Sequence, residues 1–278
     1  LLGEQLFTYK GQVLEHFEIK DSDVFLVTFP KSGTVWTQRI ITLMFEDDFP
    51  EEANQITFVR MPWLEILEKG RTYTERPSPR LFCSHLHQHL MPRGLQKKKA
   101  KVSGVRWTSW SYFHFSKFMK HLDSPEHYDE MLDKFFCGWM LGGCWFDHVR
   151  GWHNNQDKYN IMFLSYEEMI KALRSVVVRL AEFVGKSLSD GDIDSIVEKV
   201  TFNNMKMTRP TMSSCLTTSK TRTRGSSYAK VRKIRNGTIG DWENSLTVAQ
   251  SDCFDQIYQE RMKDLSLNFI WDITELQG

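Results

Sequence analysis

The sequence of 278 residues lacks the cysteine patterns of zinc-binding proteins and of disulfide-rich proteins. Its five cysteines are Cys83, Cys137, Cys144, Cys215 and Cys253. They include no CxxC pair of the kind that binds zinc, and an odd number does not fit a complete disulfide framework. Neither kind of site is favoured, and a reducing compartment is the better expectation.

Long apolar runs are also missing from the chain. The longest charge-free apolar stretch covers residues 135–146, which is too short to span a bilayer. No signal-peptide pattern precedes the first predicted strand. We therefore expect a soluble, cytoplasmic protein with no membrane partner, although a chain that starts at Leu1 rather than Met leaves its natural N-terminus open.

Residues 199–240 contain no Asp or Glu, although 26% of the whole chain is charged. Ten lysines and arginines lie in this acid-free segment, and they indicate a polyanionic partner. The alternative is a solvated, flexible loop, because Ser, Thr and Gly are also abundant there. The segment has few aromatic side chains that could stack on bases, so no nucleic-acid partner is expected.

No Pro- or Gly-rich linker and no internal repeat divides the chain, so residues 1–278 are expected to form one domain. Short β-rich runs alternate with longer amphipathic patterns, which is typical of an α/β fold with a central parallel β-sheet flanked by helices. The predicted strands are 24–29, 56–60, 80–84, 100–105 and 160–164. The predicted helices are 34–46, 110–121, 125–148, 166–172, 174–184, 190–200 and 247–263. The predicted helix-end residues are Gly185, Ser189 and the pair Thr247 and Gln250, which makes a capping box.

The stretch VFLVTFPKSGTVW, residues 24–36, looks like a P-loop-like phosphate-binding turn without its usual second glycine. A buried strand leads into a turn with Lys31 and Gly33, and a helix starts at Thr34. Free backbone N–H groups and the helix dipole then point at one place, which suits an anion. The residue order is not GxxxxGK[ST], so a kinase or ATPase site is disfavoured. An ordinary strand–helix turn is the alternative.

Three histidines alternate in RLFCSHLHQHL, residues 80–90. His85 follows the predicted strand at its C-terminal edge, where open α/β sheets bind ligands. A neutral imidazole there is suited to act as a general base, because its pKa lies near working pH. An ordinary loop histidine is the alternative, and alternation along a strand end is a weak spacing for metal ligands.

A third segment, IRNGTIGDWENSLTVAQ, covers residues 234–250. Arg235 stands near Gly237, which places a cation on a flexible backbone, and arginine can bind a terminal phosphate through two hydrogen bonds. Together, TFPKSGTVW, SHLHQHL and RNGTIGDWENSLT resemble, in order and spacing, the TYPKSGTxW, THLP and RKGxxGDWKNxFT motifs of the cytosolic sulfotransferase family. The resemblance covers nearly the whole chain, and it looks closest to the subfamilies that act on alcohols, steroids or amines.

The resemblance implies a sulfotransferase that uses 3′-phosphoadenosine 5′-phosphosulfate (PAPS) as donor and no metal. The family transfers the sulfuryl group to a hydroxyl or an amine of a small acceptor by in-line displacement. His85 matches the catalytic base, and Lys31 would neutralise charge on the leaving oxygen, where fixed charge lowers the barrier most. Ser111 is the third residue to which the resemblance assigns a catalytic role.

The residues that match donor contacts fall into three groups. The turn that wraps the 5′-phosphosulfate comprises Lys31, Ser32, Gly33, Thr34, Val35 and Trp36. The adenine region comprises Trp36, Tyr166, Val200, Thr201, Phe202 and Met205. The 3′-phosphate region comprises Arg106, Ser111, Arg235, Asn236 and Gly237. Trp63, Trp139 and Met140 match acceptor-pocket positions, with ordinary core packing as the alternative.

Three departures from the family pattern lead to further expectations. The stretch VSGVRWTSWSYFHF lacks the family's NPKD and is several residues shorter, which brings Arg106 nearer to Ser111. Asn236 replaces the lysine of the RKG motif. Glu243 reverses the lysine's charge in the dimer motif KxxxTVxxxE, so a family-type homodimer is expected to be weakened. A degenerate relative, which binds nucleotide or small ligands without efficient turnover, is the alternative function.

Overall fold

The computed structural model describes residues 17–66, 73–98, 101–106, 125–207 and 247–265, together with Leu14 and Ser116. Within these ranges, four strands form one parallel sheet in the order β2–β1–β3–β4. The strands are β1 (Val24–Thr28), β2 (Leu81–Ser84), β3 (Lys101–Arg106) and β4 (Asn160–Ser165). The predicted fold class, an α/β fold with a parallel sheet, is confirmed.

Helices follow the strands along the chain, as the alternating sequence pattern predicts. They are α1 (Thr34–Met44), α2 (Thr57–Arg60), α3 (Tyr128–Cys137), α4 (Trp145–Asn154), α5 (Tyr166–Lys171), α6 (Leu173–Val184), α7 (Asp190–Lys199), α8 (Phe202–Met207) and α9 (Val248–Met262). The predicted helix-end residues are confirmed. Gly185 ends α6 in the left-handed region at φ 76°, which glycine adopts at little cost. Ser189 and Thr247 each begin a helix with a complete capping box.

The sheet is covered on both faces, and β1 shows why its residues form a continuous apolar run. Val24 and Leu26 face a core formed with α1, α6 and α7. Phe25 and Val27 face the opposite way, toward a second core that includes Trp152 of α4. Since successive side chains of a strand point to opposite faces, a strand buried on both sides needs apolar residues at every position. All five residues of β1 are buried accordingly.

Strand register places the ends of β1 and β2 side by side. Val24 pairs with Leu81 and Val27 pairs with Ser84, in parallel. The next residues along the two strands are Thr28 and His85, which therefore meet at the carboxyl edge of the sheet. This edge is where open α/β sheets bind their ligands.

A buried ion pair joins the opposite ends of the same two strands. Arg80 donates from Nε and Nη2 to the carboxylate of Asp23, at 2.8 and 2.6 Å, and both side chains are fully buried. Arg80 also donates to the carbonyl of Glu18, while Asp23 accepts from the backbone N–H of Lys20. The guanidinium and carboxylate thus have the several partners that a buried charge requires.

Two predicted elements are wrong. The predicted strand 56–60 is the single-turn helix α2, because Arg60 turns inward and donates to the carbonyl of Thr42 at 2.6 Å. The predicted helix 125–148 is two helices, α3 and α4. Gly138 ends α3 in the left-handed region, and Gly142 and Gly143 also have positive φ, so the chain turns between the helices.

Two further helices have no full match between the prediction and the described residues. The predicted helix 110–121 lies outside the described residues apart from Ser116, and the sequence did not indicate the short helix α8. None of the helices in the described ranges is long and apolar enough to cross a membrane.

Glu167 is expected to destabilise the fold at neutral and alkaline pH. Its side chain is buried in the first turn of α5, and burial raises its pKa to about 7, with Glu168 contributing in the same direction. The folded chain therefore binds a proton more tightly than the unfolded chain, and stability from this group is lost as pH rises from about 4.5 through 7. Glu167→Gln should raise the free energy of unfolding by about 1–3 kcal/mol at pH 8.

The measurement is urea denaturation of both proteins at several pH values. The gain from Glu167→Gln should shrink as the pH is lowered toward 5, because the wild-type carboxyl then becomes neutral in the folded chain. Glu182→Gln, on the exposed side of α6, is the matched control and should change stability little at any pH. A gain that does not depend on pH would contradict the assignment.

Candidate active site

The turn between β1 and α1, residues 30–34, has the backbone of an anion-binding site, and we call it the anion turn. Lys31 has φ 72° and Gly33 has φ 89°, so two residues in close succession adopt the left-handed region. That region is uncommon for a residue with a side chain, and strain of this kind is concentrated at functional sites. The helix that follows has no side-chain cap at its N-terminus.

Three backbone N–H groups at the start of α1 have no backbone acceptor among the described residues. The first backbone hydrogen bonds of the helix run from Trp36 and Thr37 to the carbonyl of Gly33. The N–H groups of Gly33, Thr34 and Val35 precede them. Unsatisfied N–H groups and the positive end of the helix dipole together attract a negatively charged ligand.

Ser32 supplies an independent indication of a ligand. Its side chain is 1% exposed, and its hydroxyl has no hydrogen-bond partner in the part of the chain that the structure describes. A buried hydroxyl without a partner is costly in a folded protein unless a ligand or water satisfies it. The chemistry of the anion turn, with N–H groups, a hydroxyl and the ammonium of Lys31, therefore fits a phosphosulfate.

The residues predicted around an adenine come together beside α1. Trp36 donates from its indole N–H to the carbonyl of Val200 at 2.9 Å, and its ring lies 5.5 Å from the ring of Tyr166. Thr201 accepts from the N–H of Met205 at 2.9 Å, which starts α8 next to this group. Trp36 is half-buried, so a ring face can still receive a ligand.

His85 lies at the carboxyl edge of β2, where the sequence placed it, and its ring is held by β1. Nδ1 is 2.6 Å from the carbonyl oxygen of Thr28 and 3.1 Å from the hydroxyl oxygen of the same residue. Because a carbonyl oxygen can only accept, Nδ1 carries the proton and Nε2 has the free lone pair. Among the described residues, Nε2 makes no hydrogen bond, and it is the atom that can take a proton from a substrate.

The environment keeps His85 neutral. Burial lowers its pKa to about 3, and the nearby charge of Lys31 acts in the same direction, against the bond to the Thr28 backbone. A histidine with a lowered pKa is unprotonated at neutral pH, which is the state that a general base requires.

Two residues that the sequence analysis missed hold His85 in place. Thr28 accepts from its Nδ1–H, and Glu65 accepts from its backbone N–H at 2.7 Å. Thr28 also contacts Thr34 of the anion turn, hydroxyl to hydroxyl, at 2.7 Å. Nothing in the sequence indicated the contact of Thr28 with His85, because it depends on the register of β1 against β2.

The three predicted acceptor residues differ in their surroundings. Trp63 is buried and its ring lies 4.1 Å from the ring of His85, so Trp63 lines the site. Met140 is also buried, within a core cluster that includes Phe29 of the segment leading into the anion turn. Trp139 is 73% exposed, so core packing does not describe it.

A third group that the sequence analysis missed is His148 of α4. Its side chain is 5% exposed, and its Nε2 has no hydrogen-bond partner within the described ranges. Its ring lies 5.3 Å from His87 and 5.7 Å from Phe29. Burial lowers the pKa of His148 well below its usual value, and the neighbouring His87 and His85 add to this shift. A histidine on an amphipathic helix carries no signal that distinguishes it from a surface residue.

Glycines in the loop between α3 and α4 let it approach the site closely. A Cβ on Gly142 would lie 2.7 Å from the ring of Pro30, and one on Gly143 would lie 2.8 Å from Nε2 of His87. His87 donates from Nε2 to the carbonyl of Gly142 at 2.7 Å, which joins the loop to the segment after β2. The loop that carries Trp139 and Met140 is thereby fixed against the anion turn.

Part of the predicted site lies outside the described residues. This holds for Ser111, Arg235, Asn236 and Gly237, and for Glu243 of the dimer motif. Arg106 and Phe202 are described for their backbone, as the last residue of β3 and the first of α8. Val248 of the same dimer motif is 78% exposed. No cluster of three or more His, Cys, Asp or Glu side chains that could hold a metal occurs within the described ranges.

A family model for the sulfotransferase domain matches residues 21–266. The chain belongs to the sulfotransferase family. The match covers the anion turn, His85 and the adenine-region residues, and the predicted enzyme class, a PAPS-dependent sulfotransferase, is confirmed.

Curated relatives agree with this assignment. The chain is 40% identical over 267 residues to an amine sulfotransferase of Oryctolagus cuniculus, covering 94% of this chain and 88% of the relative. It is 36% identical over 262 residues to sulfotransferase 2B1 of Mus musculus, covering 92% and 76%. A relative of Cavia porcellus, a 3-beta-hydroxysteroid sulfotransferase, is 35% identical and is covered to 87%.

Solved structures agree on the fold. Mouse sulfotransferase SULT7A1 complexed with PAP has a TM-score of 0.74 and 25% identity, with 95% of this sulfotransferase and 91% of that chain covered. Retinol dehydratase in complex with androsterone and inactive cofactor PAP has a TM-score of 0.77 at 19% identity, with 95% and 88% covered. The second likeness concerns the fold alone.

Proposed function

We propose that this sulfotransferase transfers the sulfuryl group of PAPS to a hydroxyl or an amine of a small acceptor, with His85 as the general base. The observation that carries the proposal is the fixed tautomer of His85. Its Nδ1–H is held by the carbonyl of Thr28 at 2.6 Å, so Nε2 is left to accept a proton. The names of the relatives, which include amine and steroid sulfotransferases, support the acceptor class.

His85 has the position and the protonation state that the step requires. Its lowered pKa leaves Nε2 unprotonated, and the buried ring of Trp63 at 4.1 Å shields one side from water. A base in such a place removes the acceptor's proton as the acceptor oxygen or nitrogen attacks. His85 then carries the proton, and the carbonyl of Thr28 stabilises the resulting imidazolium.

The anion turn acts at the other side of the reacting group. The donor supplies a sulfuryl group whose sulfur bonds to the acceptor as its bond to the bridging phosphate oxygen breaks. Lys31 and the N–H groups of Gly33, Thr34 and Val35 bind the negative charge that grows on that oxygen. Such fixed donors lower the barrier because they need no reorganisation during the reaction.

The nucleotide end is bound beside α1. Trp36 is oriented by its bond to Val200 and by an edge-to-face contact with the ring of Tyr166. It thus provides a rigid aromatic surface. Stacking of a base on such a face contributes roughly 1–3 kcal/mol in aromatic-lined nucleotide sites. The 3′-phosphate is assigned to Arg106, Ser111 and Arg235–Gly237, on the family resemblance.

The test uses the purified full chain, PAPS and a panel of phenols, steroids and aryl amines. We expect transfer to at least one acceptor class, measured as the sulfated product. Binding of PAP, the desulfated nucleotide 3′-phosphoadenosine 5′-phosphate, is measured by calorimetry in parallel. Transfer to none of the acceptors with PAP binding retained would favour a degenerate relative. Loss of PAP binding as well would refute the assigned nucleotide site.

A homodimer of the family type is a further part of the proposal, and Glu243 is expected to weaken it. The exposed Val248 at the start of α9 belongs to the same motif. Sedimentation of the full chain and of Glu243→Lys, which restores the family's charge, measures the effect. The variant should associate at lower concentration than the wild type, and equal association would remove Glu243 as the cause.

A further inference from the structure

Three side chains form a continuous path from His85 to the anion turn. Nδ1 of His85 is 3.1 Å from the hydroxyl oxygen of Thr28, which is 2.7 Å from the hydroxyl oxygen of Thr34. Thr28 is fully buried and Thr34 is 6% exposed, so bulk water does not compete for these bonds. Thr34 is also the first residue of α1, where the anion turn presents its N–H groups.

The carbonyl bond of His85 suggests a direction for the protons on this path. Nδ1 must carry a proton, because it bonds to the carbonyl of Thr28 at 2.6 Å. The single Nδ1–H is shared between that carbonyl and the more distant Thr28 hydroxyl at 3.1 Å. Among the described residues, the acceptor available to the hydroxyl's own proton is the oxygen of Thr34. The Thr34 hydroxyl, having accepted, donates its proton onward at the helix N-terminus, where an anion would bind.

We propose that Thr28 is a positioning residue that couples the anion turn to His85 through this chain of hydrogen bonds. The inference rests on the proposed function, since it takes His85 as the base and the anion turn as the donor site. As His85 gains its proton, Nδ1–H becomes a stronger donor, and the two hydroxyls pass that polarisation to the phosphate side, where negative charge grows. Hydrogen bonds in series strengthen one another in this way.

The direct test is Thr28→Val, which keeps the volume and the backbone carbonyl and removes the hydroxyl. We expect kcat to fall about tenfold, the loss that follows from one internal hydrogen bond, with the KM for PAPS changed by less than about threefold. Thr28→Ser restores the hydroxyl and should return kcat to within about threefold of wild type. Thr42→Val is the matched control, because Thr42 is an equally buried threonine of α1 whose hydroxyl bonds to the carbonyl of Arg39.

A spectroscopic readout separates positioning from general packing. In the protein labelled with ¹⁵N-histidine, the Nδ1–H proton of His85 should shift downfield when PAP is added, because the anion polarises the chain through Thr34. The shift should be absent in Thr28→Val and present in Thr42→Val. His85→Asn assigns the signal by removing it. If Thr28→Val does not fold, Thr34→Val cuts the chain one bond further on and should abolish the shift as well.

The outcomes distinguish this inference from the proposed function. If His85→Asn keeps its turnover, the assignment of the base fails, and the coupling fails with it. If His85→Asn is inactive while Thr28→Val has the kcat of wild type, the base stands and the coupling alone is overturned. An unchanged response of Nδ1–H to PAP in the variant that lacks the Thr28 hydroxyl likewise overturns the coupling.

Discussion

His85→Asn should lower kcat by about 10²–10⁴-fold, the range over which a positioned general base contributes. Asparagine retains an N–H that can donate to the carbonyl of Thr28, but it has no atom in the place of Nε2. The backbone bond from residue 85 to Glu65 is unaffected by the change. Binding of PAP should therefore stay within about threefold of wild type.

The control is His89→Asn, an identical change in the same segment. His89 is exposed and its ring contacts His87 rather than the anion turn, so its loss should leave kcat unchanged. Both variants are measured by initial rates with saturating PAPS and one acceptor that the wild type sulfates. Turnover that survives in His85→Asn would mean that another group takes the proton, and His148, with a buried Nε2 that lacks a partner in the described ranges, would be the first residue to examine.

A comparison of His85 with His148 shows which site residues the sequence could predict. His85 was predicted because it follows a buried strand in a recognisable motif, and strand ends of α/β sheets are where ligands bind. His148 lies on α4, and no sequence motif surrounds it. Its place near His87 and Phe29 is a consequence of how α4 packs against the sheet, which no local pattern encodes.

Predictions of secondary structure were likewise correct where the local pattern was decisive and wrong where a tertiary contact was. The strand β1 was predicted because a run of apolar residues bounded by a turn is typical of a doubly buried strand. The run at 56–60 has the same appearance, but a segment of five residues does not distinguish a strand from one helical turn. The buried hydrogen bond from Arg60 to the carbonyl of Thr42 in α1 favours the helical turn α2 over a strand.

The strand, turn and helix that form the anion turn were predicted because their pattern is local, and the binding of an anion there stays a prediction. Lys31, Ser32 and Gly33 are adjacent in sequence, and a strand–turn–helix pattern places their N–H groups together. The contact of Thr28 with His85 was missed because it requires the pairing of β1 with β2. A single-register change along β1 would move the Thr28 side chain to the other face of the sheet.

Asp23→Asn should destabilise the fold by about 3–5 kcal/mol, because it leaves the guanidinium of Arg80 buried without its counter-charge. Arg80 is 1% exposed, so water cannot replace the lost carboxylate. Asp194→Asn is the matched control, because Asp194 pairs with Arg174 at 2.8 Å where both side chains are exposed. An exposed pair contributes about 0–1 kcal/mol, and chemical denaturation of the two variants measures the difference.

The same pair connects stability with the active site. Val24 donates to the carbonyl of Arg80 at 2.9 Å, so the Asp23–Arg80 pair lies at the point from which β1 and β2 begin to pair. Four residues further along, that register places Thr28 against His85. The double variant Asp23→Val with Arg80→Met removes both charges, and it should regain most of the lost stability, since uncharged side chains of similar total volume often replace a buried ion pair without loss. Its turnover should recover together with its stability. A double variant that is stable but inactive would show that the charged pair itself is needed to place Thr28 against His85.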